Sequence, residues 1–159
     1  MKILQLVHMA CNKPEDEFIR TLFRYILHRE ADPESLQAHM GLLAAGMTKN
    51  EMLRGLVHGA EARAIYYGPP ALHDMPTIAN KLRQLLALPP PLIVHHYYVE
   101  LLARMPDQEG FHGHLQRLRE GYDPLALATD FMVSEEFRHL MHAAPSTLGR
   151  RFAQHALQS

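Results

Sequence analysis

Residues 27–36 read LHREADPESL, and residues 102–111 read LARMPDQEGF. Leu27, Arg29, Asp32 and Glu34 of the first stretch recur as Leu102, Arg104, Asp107 and Glu109 of the second, 75 residues further on. In the first stretch an aspartate stands directly before a proline. Aspartate is a favoured N-cap because its carboxylate accepts a backbone N–H that the first helical turn leaves unpaired. Proline suits the first helical position, where no N–H is needed. The stretch therefore predicts a helix stop, a cap and a restart. Leu36, Met40 and Leu43 continue the new helix on one face. Gly46 is placed to end it in the left-handed conformation.

Upstream, Asn12 and Pro14 precede Glu15-Asp16-Glu17, acidic residues suited to the positive end of a helix dipole. Phe18, Ile19, Leu22, Phe23 and Ile26 follow at helical spacing. Downstream, Thr48-Lys49-Asn50-Glu51 is a capping-box pattern ahead of Met52, Leu53 and Leu56. Gly59 and then Gly68-Pro69-Pro70 close this first unit. Residues 76–88 read as a bridging helix with Ile78, Leu82, Leu85 and Leu86 on its buried side, stopped by Pro89-Pro90-Pro91. No run of alternating strands occurs.

The offset of 75 extends beyond the opening stretch. Phe18 pairs with Ile93, Phe23 with Tyr98, His39 with His114 and Leu43 with Leu118. Gly46 pairs with Gly121, Leu56 with Phe131, and Glu61-Ala62-Arg63 with Glu136-Phe137-Arg138. Asp123-Pro124 stands where the first unit has Thr48-Lys49. Matched periodicity, caps and glycine stops predict an all-α chain of two tandem helical repeat units, about three to four helices each, joined by a bridging helix. The expected boundaries are an N-terminal segment 1–11, a first repeat 12–68, a Pro-flanked bridging helix 69–90, a second repeat 91–142 and a C-terminal helix 143–159. Within the second repeat, Ser134-Glu135-Glu136 starts a short helix. Ser146 is expected to cap the last helix, which carries Leu148, Phe152 and Leu157. Residues 2–10 are expected to form a short strand or tail packed on the body. Their apolar run is too short, and too interrupted by His8, for a lipoprotein signal ahead of Cys11.

Bulk properties narrow the function classes. A chain of 159 residues is long enough to bury a sizeable core without disulfides or metal. Sixteen basic residues oppose seventeen acidic ones with no block of like charge, so no electrostatic footprint for nucleic acid is present. No run approaches the roughly 18 apolar residues of a membrane span. The single cysteine excludes an internal disulfide framework. Twelve histidines make the net charge rise as pH falls through about 6.5.

Several residue groups invite chemistry. In Arg29-x-x-Asp32 and Arg104-x-x-Asp107 the arginine can bridge the capping carboxylate to the last carbonyls of the preceding helix, a joint that fixes an interhelical angle. The rival reading has Arg29 or Arg104 bind a phosphate or an acidic sugar. Glu34 and Glu109 sit in first helical turns, and their places in separate units give no reason to expect the approach of roughly 5–10 Å that glycoside hydrolysis needs. Glu135, Glu136, His139 and His142 share one short helix, but a helical di-metal site needs two Glu-x-x-His motifs and two more glutamates, and only Glu136-Phe137-Arg138-His139 fits. No metal and no cofactor is therefore expected. Phosphate-loop, dinucleotide and nucleophile-elbow motifs are absent. Cys11 has no identifiable partner base and is given no catalytic role. Tyr66, Tyr67 and Tyr98 offer rings on which a sugar could stack, against the ordinary reading of aromatics at helical spacing as core.

Leu22 to Leu36 and Tyr97 to Phe111 resemble the signature of a bacterial family, domain of unknown function 4214. That signature places aliphatic and aromatic residues and a Tyr before Leu-Gly-Arg-x-Pro-Asp-x-x-Gly. An aromatic-containing helix, a Gly and a final Ser-x-Glu-Phe follow. Met105-Pro106-Asp107-Gln108-Glu109-Gly110-Phe111 is the closer match, and Ser134-Glu135-Glu136-Phe137 supplies its ending. In the first stretch Ala31 replaces the Pro and Ser35 the Gly. The resemblance also extends distantly to helical phycobilisome linker domains. It implies a helical module of the bacterial cytoplasm or envelope, often found beside glycosyltransferases and in envelope proteins, and no established active site.

The expected function is a non-catalytic helical recognition or scaffolding module associated with envelope glycan or polysaccharide machinery. Its partner would be a protein or a saccharide, with homo-oligomer formation open to it. The alternative is a small enzyme or metal-binding helical protein, such as an accessory domain of a glycosyltransferase, with its site between the two repeats.

Overall fold

The computed structural model describes residues 1–69 and 75–158. Residues 70–74, in the stretch assigned to the bridging segment, lie outside the described residues. The fold is all-α, and no strand occurs among the described residues. Its elements are α1 (Ile3–Cys11), α2 (Glu15–Leu22) running into a π-helical turn (Phe23–Leu27), α3 (Pro33–Ala44), α4 (Lys49–His58) and α5 (Ala60–Tyr66). They continue with α6 (Ile78–Leu86), α7 (Pro90–Leu102), α8 (Gln108–Arg119), α9 (Pro124–Met132), α10 (Glu135–Met141) and α11 (Pro145–Gln158).

The N-terminal segment is a helix, which corrects the expectation of a strand or tail. Ile3, Leu4, Leu6, Val7, Ala10 and Cys11 are all buried, and the i, i+3, i+4 recurrence among them is helical rather than alternating. The N–H of Lys2 donates to Gln5 Oε1 at 2.7 Å, and that of Ile3 donates to Glu100 Oε2 at 2.9 Å. The second bond ties the start of α1 to α7. Glu100 is itself held by Lys81 of α6 at 2.9 Å, with both side chains largely buried.

One continuous core runs through both halves of the chain, from Ile3 in α1 to Leu148 in α11. Helix α1 packs on α10, α2, α7 and α6, and α4 packs on α9. Helix α6 buries Ile78, Ala79, Leu82 and Leu85 in that core, so it is an interior layer rather than an external bridge. The ion pair of Arg63 in α5 with Asp123, the N-cap of α9, adds a 3.1 Å link between the halves.

The local stops and starts follow the sequence closely. Asp32, Thr48, Asp107 and Ser134 each accept the backbone N–H three residues on, from Ser35, Glu51, Gly110 and Phe137. The Glu51 side chain also completes the capping box on the Thr48 backbone N–H. Gly46 and Gly121 carry φ of +111° and +97°, and the N–H of the residue after each reaches back to the carbonyl of Leu42 or Arg117 at 3.0 Å. Two other positions are left-handed without being glycine: His28 (φ 55°) and Ala103 (φ 50°), again 75 residues apart. At these points the incoming helix ends and the chain turns towards the Asp cap. Ser146 does not cap α11, because the helix begins one residue earlier at Pro145. Leu157, expected on the inner side of α11, is exposed.

Candidate functional site

The two Arg-x-x-Asp stretches fold into matching joints. In the first, Arg29 Nε lies 3.2 and 3.1 Å from the two carboxylate oxygens of Glu61, and Nη2 adds a third contact at 3.1 Å. Nη1 donates to the Glu30 carbonyl at 3.2 Å and stands 3.7 Å from Asp32. In the second, Arg104 Nε lies 3.1 and 3.0 Å from the oxygens of Glu136. Its Nη1 donates to the Met105 carbonyl at 3.1 Å and stands 3.6 Å from Asp107. Each guanidinium lies over an aromatic ring, Arg29 over Phe23 at 5.1 Å and Arg104 over Tyr98 at 4.9 Å.

The arginine was expected to bridge its aspartate to the last carbonyls of the preceding helix, and the geometry corrects this. Each arginine takes the carbonyl of the next residue, and its main partner is a glutamate 32 residues further along the chain. In the second joint the Leu102 carbonyl is taken by Arg151 of α11 at 3.1 Å. Arg151 also approaches Glu136 at 3.4 Å, so Glu136 serves two arginines. The sequence carried a signal for these partners, since Glu61 and Glu136 match at the same offset as the arginines. No local rule links residues so far apart, so the pairing itself was not legible.

The electrostatics suit a structural role. The N–H of Ser35 and that of Gly110 hold Asp32 and Asp107 below the ordinary carboxylate range, with Arg29 and Arg104 adding smaller effects. Hydrogen bonding to their glutamates raises Arg29 and Arg104. All four groups stay ionised near neutral pH, and both arginines have internal anionic partners. Glu34 and Glu109 occupy the first turns of α3 and α8, as expected from sequence.

A hollow of about 220 Å³ opens beside the second joint, lined by Tyr98, Arg104, His114, Asp130, Phe131 and Glu136 among others. Tyr98, Phe131 and His114 form its aromatic wall, with Tyr98 and Phe131 edge to face at 5.1 Å. Asp130 accepts from Arg117 at 3.1 Å and from the Tyr122 hydroxyl at 2.6 Å, and Arg117 stacks over Tyr122 at 4.2 Å. The first half has Leu42, Met47 and Gly55 where the second has Arg117, Tyr122 and Asp130. Leu42 is 43% exposed, and a side chain built on Gly55 would meet nothing within 4 Å. A polar lock in one half thus corresponds to an open apolar notch in the other. No residue of α3 is buried.

The proposed sugar-stacking tyrosines are divided by the structure. Tyr66 and Tyr98 are each only 4% exposed, which removes their ring faces from a surface platform. Tyr66 donates its hydroxyl to the Val57 carbonyl at 2.9 Å, and burial pushes both phenols above their ordinary range. Tyr67 is 61% exposed.

The Tyr98 hydroxyl also explains a glycine. A Cβ at Gly110 would overlap Tyr98 Oη and crowd the Asp107 carboxylate. The equivalent pair in the first half is Phe23 with Ser35, where the missing hydroxyl leaves room for a side chain.

The histidine-rich helix α10 does not gather metal ligands. Glu136 is engaged by Arg104 and Arg151, and His142 Nδ1 lies 3.3 Å from Cys11 Sγ. Among the described residues no group of three or more His, Cys, Asp or Glu is arranged to hold a metal ion, and no helix is long and apolar enough to cross a membrane.

Helix stops, caps and paired arginines therefore define a helical domain built on repeated interhelical joints. Residues 7–66 match the model of a family described as domain of unknown function (DUF4214). The match ends at the last residue of α5 and contains the whole first joint, although the motif at residues 105–111 had the closer local likeness. No curated protein and no solved structure matches the chain.

Proposed function

We propose that this chain is a non-catalytic helical recognition module that docks a protein partner and works beside bacterial envelope glycan machinery. The observation that carries the non-catalytic reading is pairing: the charged groups of both repeated joints are bonded within the chain, leaving no convergent charged pair there for a substrate. Burial of Tyr66 and Tyr98 favours a protein over a saccharide. The association with glycan machinery rests on the family resemblance, as does descent of the two halves from a tandem duplication. The surface put forward is the outer side of α3 around Leu42, Met47 and the open position over Gly55, suited to an apolar side chain of the partner.

The test is capture from envelope extracts by the immobilised protein, beside a saccharide-binding screen. A partner retained by the wild type and lost by Leu42→Glu at unchanged melting temperature supports the proposal. Saccharide binding abolished by Tyr67→Ala, with no protein partner dependent on Leu42, would replace it with a lectin-like role.

A further inference from the structure

The second cluster of titratable groups lies where α1, α4 and α10 meet, away from both joints. Cys11, the last residue of α1, is 6% exposed. Its Sγ stands 3.3 Å from Nδ1 of His142, the residue that ends α10. Lys49, the first residue of α4, donates from Nζ to the Cys11 carbonyl at 2.8 Å. His8, one turn before Cys11 and also buried, places Nε2 2.8 Å from the Ala143 carbonyl. On its other side His142 faces a hollow of about 470 Å³ whose walls include Glu135, Arg138, His139, Ala143 and Thr147.

The charges facing His142 are mostly of one sign. Lys49 comes from α4, Arg138 from its own helix and His8 from α1, and all three disfavour its protonation. From α11 only Thr147 lines the hollow, and it carries no charge. Glu135 and His139 stand on the outer wall, and neither forms an ion pair among the described residues. Burial is the largest cause holding His142 below its ordinary range. Burial likewise raises the Cys11 thiol, partly opposed by Lys49. At neutral pH the pair is therefore a thiol beside a neutral imidazole, with Cys11 S–H donating to Nδ1.

We propose that His142 is a proton-operated latch that pins the end of α10 to α1 and shields Cys11 while neutral, and releases both when protonated. A proton on Nδ1 removes the acceptor for the thiol S–H. It also adds a third positive charge beside Lys49 and Arg138, with no carboxylate paired to offset it. Opening moves the α10 end, and the chain continuing into α11, off the thiol.

Cys11 is the only cysteine, so its labelling reads the latch directly. The probe is 4,4′-dithiodipyridine, applied to the full chain from about pH 8 to about pH 5, a span that brackets the ordinary histidine range. Each rate is divided by that of the same chain in denaturant at the same pH, which removes the intrinsic thiol dependence. For one linked proton the normalised rate rises by up to about tenfold per pH unit inside the window between the closed-state and open-state pKa values. In His142→Gln the amide oxygen still accepts the S–H and cannot titrate, so labelling stays slow and flat. In His142→Ala it is fast and flat. A flat wild-type profile, or an acid rise that persists in His142→Gln, would overturn the latch.

Discussion

Substituting Gly110 by serine tests the reading of the second joint, because the first half already contains the compensated pair. At Gly110 the new Cβ overlaps the Tyr98 hydroxyl and comes to 2.9 Å from Asp107 Oδ1. Overpacking of this kind costs roughly 1–3 kcal/mol, set against a helix-propensity gain of about 0.5 kcal/mol for serine over glycine. Gly110→Ser alone should therefore destabilise by about 1–2 kcal/mol, or about 2–6 °C in a domain of this size. Tyr98→Phe recreates the Phe23–Ser35 arrangement. No hydrogen bond holds the Tyr98 hydroxyl among the described residues, so its removal alone should be nearly neutral. In the double variant the steric cost should vanish and a small gain should remain, giving a coupling of at least about 1 kcal/mol in a denaturant-melt cycle. Gly113→Ala is the control: it lies on the same helix with nothing within 4 Å and should stabilise by roughly 0.5–1 kcal/mol. Additive effects of Gly110→Ser and Tyr98→Phe would refute the steric account of this glycine.

Asp32→Ala and Asp107→Ala should each lower the melting temperature, because each removes a bonded N-cap. Partner capture at a permissive temperature should be retained, and its loss without a change in melting would instead mark those carboxylates as contact residues. Burial lowers His28, His95 and His114 below the ordinary 6.5. The unfolded chain thus binds protons more readily than the folded one as pH drops. The stability these groups confer is complete above about 6.5 and is lost as pH falls through their lower folded-state values. Urea melts at a series of pH values should show a declining midpoint from about 6.5 downwards, and a midpoint flat or rising towards acid would contradict the burial of these imidazoles.

The legible features were those whose causes are local. Asp32-Pro33, Thr48 to Glu51, Gly46 and Ser134 act within one helical turn, and each forms the cap or stop that its neighbours imply. Features set by distant packing were hidden. Glu61 and Glu136 find their arginines only after three helices have folded back. The run at residues 2–10 was misread because a short apolar segment fits either period until its burial is known. Tyr66 and Tyr98 could not be assigned to surface or core, since an aromatic at helical spacing fits both. The duplicated pattern was visible, yet its unequal filling, with Arg117–Asp130–Tyr122 against Leu42–Gly55–Met47, acquired meaning only with the side chains in place.

The central claim, that the repeated Arg-x-x-Asp stretches are internal joints, is tested most directly by double-mutant cycles on Arg104/Glu136 and Arg29/Glu61. Both pairs are a third or more exposed, so solvent holds each coupling within the 0.2–1 kcal/mol typical of such pairs. The Arg104–Glu136 coupling should lie near 1 kcal/mol, because it is the less exposed pair. The Arg29–Glu61 coupling should be about half as large. Couplings indistinguishable from zero at both joints, with unchanged melting in Arg29→Ala and Arg104→Ala, would show that these arginines are held for a ligand and not for the fold.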